Sequence, residues 1–257
     1  MTRLRWLAFV GLALSTACGG DSAYLGQDPN VLWWTDYESG DLSSWGPPDA
    51  KIWTANDGVA TVVTTPVRSG KYAMRTVSNS GDPSIISAAI GVREALTPKQ
   101  TCYSAWYYLP ALVTPNDVWV FFKFRSRTRV TDSSTSVDSW DVNVSSNGMN
   151  AVFGLFNHDT QTQVNSESAT VPAARWFQLE ACLLASSGID GKLQVFLDGE
   201  QIFDIRDQPT APSPWVEWNI GSIAKGTSPT SATVYVDDVA VSKQRLGPDY
   251  PVFWRHR

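Results

Sequence analysis

The sequence predicts an all-β fold, a sandwich of two antiparallel sheets. Short runs rich in Val, Ile, Thr, Tyr, Phe and Trp recur along the chain, and Gly, Asp, Asn and Pro separate them. No segment sustains a helical period for three turns. Twelve tryptophans lie mostly within the strand-like runs, and a hydrophobic content of 43% suffices for a real core. Many short strands without helices imply a sandwich or a barrel.

The strands are read in order as Val31–Tyr37, Lys51–Ala55, Val59–Thr64, Lys71–Ser78, Ser84–Arg93, Thr101–Leu109, Val118–Arg129 and Val137–Ser145. They continue as Asn150–Phe156, Gln161–Ser166, Trp176–Leu184, Lys192–Leu197, Gln201–Ile205, Val216–Ile220 and Ala232–Ser242. Asn147-Gly148 and Asp198-Gly199 have the chemistry of tight hairpin turns. A longer hairpin joins Trp176–Glu180 to the run after Ser187–Lys192. A short helical turn is allowed near Gly91–Leu96 or Pro98–Thr101. With no internal repeat and no break in composition, residues 31–246 form one domain, followed by a tail, 247–257.

The first residues read as a targeting segment. Arg3 and Arg5 precede an apolar stretch, Leu4–Leu14, too short to span a bilayer comfortably. Leu14-Ser15-Thr16-Ala17-Cys18-Gly19 resembles a bacterial lipoprotein signal, with Ser15 in the slot where leucine is usual. The resemblance implies cleavage after residue 17, lipidation of Cys18 and a tether, 18–30, that anchors an exported chain in the cell envelope. Plain secretion is the alternative. Cys102 and Cys182 remain as either a disulfide or two separately buried thiols.

Charge directs attention to one strand. The full chain carries 20 basic and 25 acidic residues; without Arg3 and Arg5 the balance is 18 against 25, or −7. Such a chain is a poor nucleic-acid binder. Yet Asp117–Val130 alternates Val118, Val120, Phe122 and Phe124 with Trp119, Phe121, Lys123, Arg125, Arg127 and Arg129. Alternate side chains of a strand point to opposite faces, about 6.6–6.8 Å apart along each face. One face therefore belongs to the core. The other is expected to line a groove with Trp119, Phe121, Lys123 and Arg125, while Arg127 and Arg129 solvate the strand end. By the same alternation Asp141, Asn143, Gln178, Glu180, Glu217 and Asn219 join that groove. Rings stack on sugars, and cations pair with uronate or sulfate. The alternative is a solvated outer face whose cations are paired with these acids.

Further stretches carry a resemblance: Asp36–Asp41 with Trp45, Ser69–Arg75, Trp176–Glu180, Val195–Gly199 and Tyr235-Val236-Asp237-Asp238-Val239. Their order resembles the concanavalin A-like, laminin G-like jelly roll, and within it the bacterial heparin- and glucuronan-lyase-like proteins. That resemblance implies a two-sheet jelly roll and an acidic polysaccharide as partner. The lyase-like families use a His and a Tyr for β-elimination, which here leaves Tyr103, Tyr107 and His158 as candidates, with Lys123, Arg125, Asn143 or Gln178 neutralising the uronate. His256 lies in the tail. Many related jelly rolls hold a structural calcium, implying Glu38 or Asp41 with Asp237; the alternative is that these acids cap turns. No closely spaced acid motif of the β-glucan hydrolases occurs. The expected function is therefore binding of an acidic polysaccharide. A polysaccharide lyase is the first alternative and a structural or protein-interaction domain the second.

Overall fold

The computed structural model describes residues 28–95, 100–127, 137–213 and 215–250. Cys18, the residue expected to carry lipid, Arg129 and His256 lie outside them, as does the side chain of Arg127. The described residues form fifteen strands: β1 Val31–Thr35, β2 Ala50–Ala55, β3 Val59–Val63, β4 Ala73–Asn79, β5 Ser87–Ala95, β6 Gln100–Tyr108, β7 Thr114–Arg127 and β8 Val137–Ser146. The remainder are β9 Ala151–Asn157, β10 Thr162–Thr170, β11 Trp176–Leu184, β12 Lys192–Leu197, β13 Glu200–Arg206, β14 Trp215–Ser228 and β15 Ser231–Ser242. Of the run predicted to permit a helical turn, Gly91–Leu96, residues 91–95 instead continue β5, because Val92 and Ile90 pair into the ladder with β14, and Leu96 lies outside the described residues. Among the described residues the single turn of 3-10 helix lies at Ser43–Trp45.

All pairings are antiparallel. One sheet runs β13-β12-β11-β6-β15-β4-β3, with β1 also paired to β15, and the other runs β10-β9-β8-β7-β14-β5-β2. This is the expected jelly-roll sandwich. Trp45, Trp119, Trp218, Tyr103, Tyr107, Phe122, Phe153 and Phe177 fill the space between the sheets. Asp198 and Gly199 both adopt positive φ in the β12–β13 turn, as a two-residue hairpin demands. Cys102 and Cys182 stand directly opposite each other on β6 and β11 and form a disulfide.

The main departure from simple alternation lies in β7. Val120 pairs with Asn143 and Phe122 with Val142, so β7 carries one extra residue, Phe121, against β8. β14 has its own irregularity here, between Ile220 and Ile223, with Gly221 at φ +131. A bulge moves every later side chain to the other face. Trp119 and Phe121 therefore point inward on one side of it, and Phe122 and Phe124 point inward on the other.

Candidate functional site

Beyond the bulge, β7 turns Lys123 and Arg125 outward. In the ladders Lys123 stands opposite Asp141 of β8 and Asn219 of β14, and Arg125 opposite Asp138 and Glu217. Directly opposed residues share a face. The outer face of the seven-stranded sheet thus gathers Lys123, Arg125, Asp141, Asn143, Glu217 and Asn219, all expected from the sequence. It adds Asp138, which alternation from Asp141 would have turned inward. A second shift, between Phe124 and Arg125, re-aims it.

The charges are closely interlocked. Asp138 receives Lys123 Nζ at 2.8 Å on one carboxylate oxygen and Arg125 Nε at 2.7 Å on the other. Lys123 also lies 3.5 Å from Asp141, and Arg125 Nη1 donates to Glu217 at 3.3 Å. Asn219 Nδ2 donates to the same Glu217 oxygen at 3.2 Å. Burial alone would raise the Asp138 carboxyl, but Lys123, Arg125 and His158 outweigh it and hold the group below its usual value. The cations are thus paired with acids, the alternative left open by the sequence, and they share the face with amides.

His158, just past β9, joins this face. One of its ring nitrogens, Nε2, lies 2.8 Å from Asp141 Oδ2, and Phe156 packs edge-on against the ring. The Asn-Gly hairpin fixes this meeting by setting Asp141 opposite Phe156. Further along, Asn143 Nδ2 donates to Gln163 Oε1 at 3.1 Å, and buried Asn143 Oδ1 has no hydrogen-bond partner among the described residues. Gly154 lies beneath this amide pair, where a Cβ would collide with both side chains. The pair opens into a depression of about 430 Å³ bordered by Asp117, Val118, Met149 and Asn150.

Several expected residues lie elsewhere. Trp119 and Phe121 do not line the face: they are 0% and 1% exposed, because the bulge reverses the alternation. Trp119 Nε1 donates to Ser222, and Phe121 packs on Tyr107, Phe153 and Phe177. Tyr103 and Tyr107 point into the same core from β6. Gln178 and Glu180 do face outward, but from the other sheet. Gln178 donates to Ser104 and to the Gly247 carbonyl, and Glu180 accepts from Arg245 and from the backbone of Leu246 and Gly247. They dock the tail. Among the described residues no tyrosine reaches the Lys123–Arg125 face.

The acids expected to hold calcium do not form one ligand set. Asp41 accepts from Ser39 and Ser43, whereas Glu38 accepts the backbone N–H groups of Lys71 and Tyr72. Asp237 accepts from the backbone of Arg68, Ser69 and Asp238. Among the described residues no group of three or more His, Cys, Asp or Glu is arranged around a metal position. One feature fits a cation: among the described residues buried Asp238 Oδ1 lacks a hydrogen-bond partner, and Asp36 and Glu38 act on that carboxylate electrostatically. Burial, then the charge of Asp238, pushes Asp237 up to about 9; burial pushes Asp238 up to about 6.

Residues 37–240 match the family model described as polysaccharide lyase. The chain belongs to that family. Its fold is similar to the endo-β-1,4-glucuronan lyase of the fungus Trichoderma reesei, with a TM-score of 0.65 at 14% identity over 86% of this chain and 100% of that one. It is also similar to the cellulose-induced protein Cip1, with a TM-score of 0.60 at 15% identity over 83% and 98% of the two chains. The alginate lyase vAL-1 from Chlorella virus gives 0.58 at 12% identity over 84% and 100%. No curated protein matches the sequence significantly. The family ties the chain to polysaccharides; at these identities the structural likenesses speak for the jelly roll alone.

Proposed function

We propose that the outer face of the seven-stranded sheet binds an acidic polysaccharide. One observation carries this reading: Lys123 and Arg125 grip a single carboxylate, that of Asp138, from both sides. A uronate carboxylate arriving at the face would meet the same two donors, one of them a planar guanidinium suited to carboxylates. Asn143, Gln163 and Asn219 supply amides for sugar hydroxyls, and exposed Trp53 on β2 offers a ring at the sheet edge. Glucuronan and alginate, the polymers named for its fold neighbours, are the first ligands to titrate by calorimetry. Saturable binding is expected, and no heat with either polymer would sink the proposal.

A second reading, cleavage by β-elimination, is favoured by His158. Its contact with Asp141 orients the ring, so that the other ring nitrogen would take the C5 proton of a uronate. The C5 electrons would form the C4–C5 double bond as the C4–O bond breaks, and an acid would protonate the leaving oxygen. Lys123, Arg125 and the amides would steady the carboxylate. No described tyrosine is at hand as that acid, so binding without cleavage is our conclusion. Absorbance of the unsaturated product during incubation with either polymer would overturn it in favour of the lyase.

We also propose that the chain is exported and anchored by lipid on Cys18. The Cys102–Cys182 disulfide, at home in an oxidising compartment, supports export. Mass spectrometry of the native N-terminus tests the anchor, and an unprocessed Met1 would exclude it. A calcium ion at Asp238, with Asp237 and Glu38 beside it, would tie the first strand to the last.

A further inference from the structure

The combination of rings and a cation, expected on β7, occurs on the opposite side of the molecule. Tyr108 of β6 stands directly between Trp176 of β11 and Tyr235 of β15. The ring centroids are 5.6 Å apart for Tyr108–Trp176 and 5.9 Å for Tyr108–Tyr235. Arg75 of β4 is opposite Tyr235, and exposed Thr61 of β3 is opposite Arg75. Opposed residues share a face, so these five side chains form one row across five adjacent strands. The row faces away from the core, and all three rings are partly exposed.

Among the described residues nothing covers this row, whereas its neighbour is covered. In the adjacent row Arg68 caps the ring of Trp106 at 4.2 Å, and Gln178 holds the tail at Gly247. Arg75 makes no hydrogen bond or ion pair among the described residues, and no acid stands in its row. A cation with no partner among the described residues, set beside rings on an acidic chain, is complementary to an anionic partner. The rings meet at 53° and 78°, so they form a stepped strip rather than a flat plate. Trp176 and Tyr235 are two strand spacings apart, ~9.6 Å, which is on the scale of a disaccharide. A single twisted chain fits such a strip better than a planar stack of chains would.

We infer that the Trp176–Tyr108–Tyr235–Arg75 row is a second binding site for an acidic polysaccharide, separate from the Lys123–Arg125 face. Rings take the apolar faces of successive sugars, and Arg75 takes a carboxylate. With sites on both sides of the sandwich, one chain can bridge two polymer strands or hold one long strand twice, which raises avidity.

The test is calorimetric titration of the full-length protein with short glucuronan and alginate oligomers. Two oligomers per chain are expected. Arg75→Gln and Trp176→Ala/Tyr235→Ala should each reduce this to one, with about tenfold weaker binding to long polymer, the scale of losing an anchor residue. Lys123→Ala/Arg125→Ala should leave the second site intact. One oligomer per chain, lost in Arg75→Gln and kept in the Lys123/Arg125 variant, would uphold this inference while refuting the first site. Wild-type stoichiometry and affinity in Arg75→Gln, a surface change that spares folding, would overturn it. So would wild-type binding by a folded Trp176→Ala/Tyr235→Ala variant.

Discussion

Phe121→Ala separates the two readings of β7. Phe121 is 1% exposed and packs on Trp119, Tyr107, Phe153 and Phe177 with ring centroids 5.6–6.5 Å away. An aromatic side chain buries about 150–250 Å², worth at most about 4–6 kcal/mol at ~25 cal/mol per Å². Truncation of buried Phe to Ala typically costs about 3–5 kcal/mol, cavity included, so we take about 4. For a domain of this size each kcal/mol moves Tm by about 2–4 °C, giving a fall of ~8–16 °C. Scanning calorimetry measures that fall, and polymer titration well below the transition should find the affinity unchanged. Had simple alternation held, Phe121 would lie on the binding face; the change would then cost about 0.5 kcal/mol or less and weaken binding. An unmoved Tm with lost affinity would refute the bulge and everything built on it.

Other changes test other parts of the structure. Cys102→Ser/Cys182→Ser opens a cross-link spanning 80 residues, and the chain-entropy model gives a loss of about 4.5 kcal/mol, readable as a lower denaturation midpoint; an unchanged midpoint would contradict the disulfide's structural role. Gly154→Ala should push apart Asn143 and Gln163, weakening polymer binding with little change in Tm, because the colliding atoms are side-chain ends; undiminished affinity would remove the amide pair from the site. Asp237 and Asp238 are held above their unfolded value, so the native state binds their protons more tightly than the unfolded chain does. In chelator, their contribution to stability is therefore full below about pH 4 and lost as pH rises toward about 9. Asp237→Asn should flatten that decline, and calcium should raise Tm most at the alkaline end. A melting curve indifferent to calcium and chelator at every pH would sink the calcium proposal.

The strands were largely legible because alternation and turn residues are local signals. Asn147-Gly148 and Asp198-Gly199 fix two hairpins, and the first sets the register that places Asp141 near His158. Two things were not local. The phase change in β7 leaves only a faint trace, four large aromatics at 119, 121, 122 and 124 with a break in their spacing, answered by Gly221 on the partner strand. Reading the rings as the core set, rather than Val118 and Val120, would have found it. The second gap is sheet membership. Alternation turned Gln178 and Glu180 outward correctly, but strand β11 belongs to the other sheet, beside β6. For the same reason the row of Trp176, Tyr108, Tyr235 and Arg75 is invisible in one dimension, since its members come from four strands distant in sequence. Asp138 and Gln163 went unread because a bulge and a hairpin, rather than composition, bring them to the face.

The central claim is that Lys123 and Arg125 hold a glycan carboxylate where Asp138 now lies. Titration of wild type, Asp138→Asn and Lys123→Ala/Arg125→Ala with glucuronan oligomers tests it most directly, with the Arg75→Gln change made throughout to leave only this face. Removing the competing charge in Asp138→Asn should tighten binding about two- to fivefold, the scale of one partly exposed ion pair. The double substitution should abolish binding. Equal affinity in all three proteins would contradict the claim.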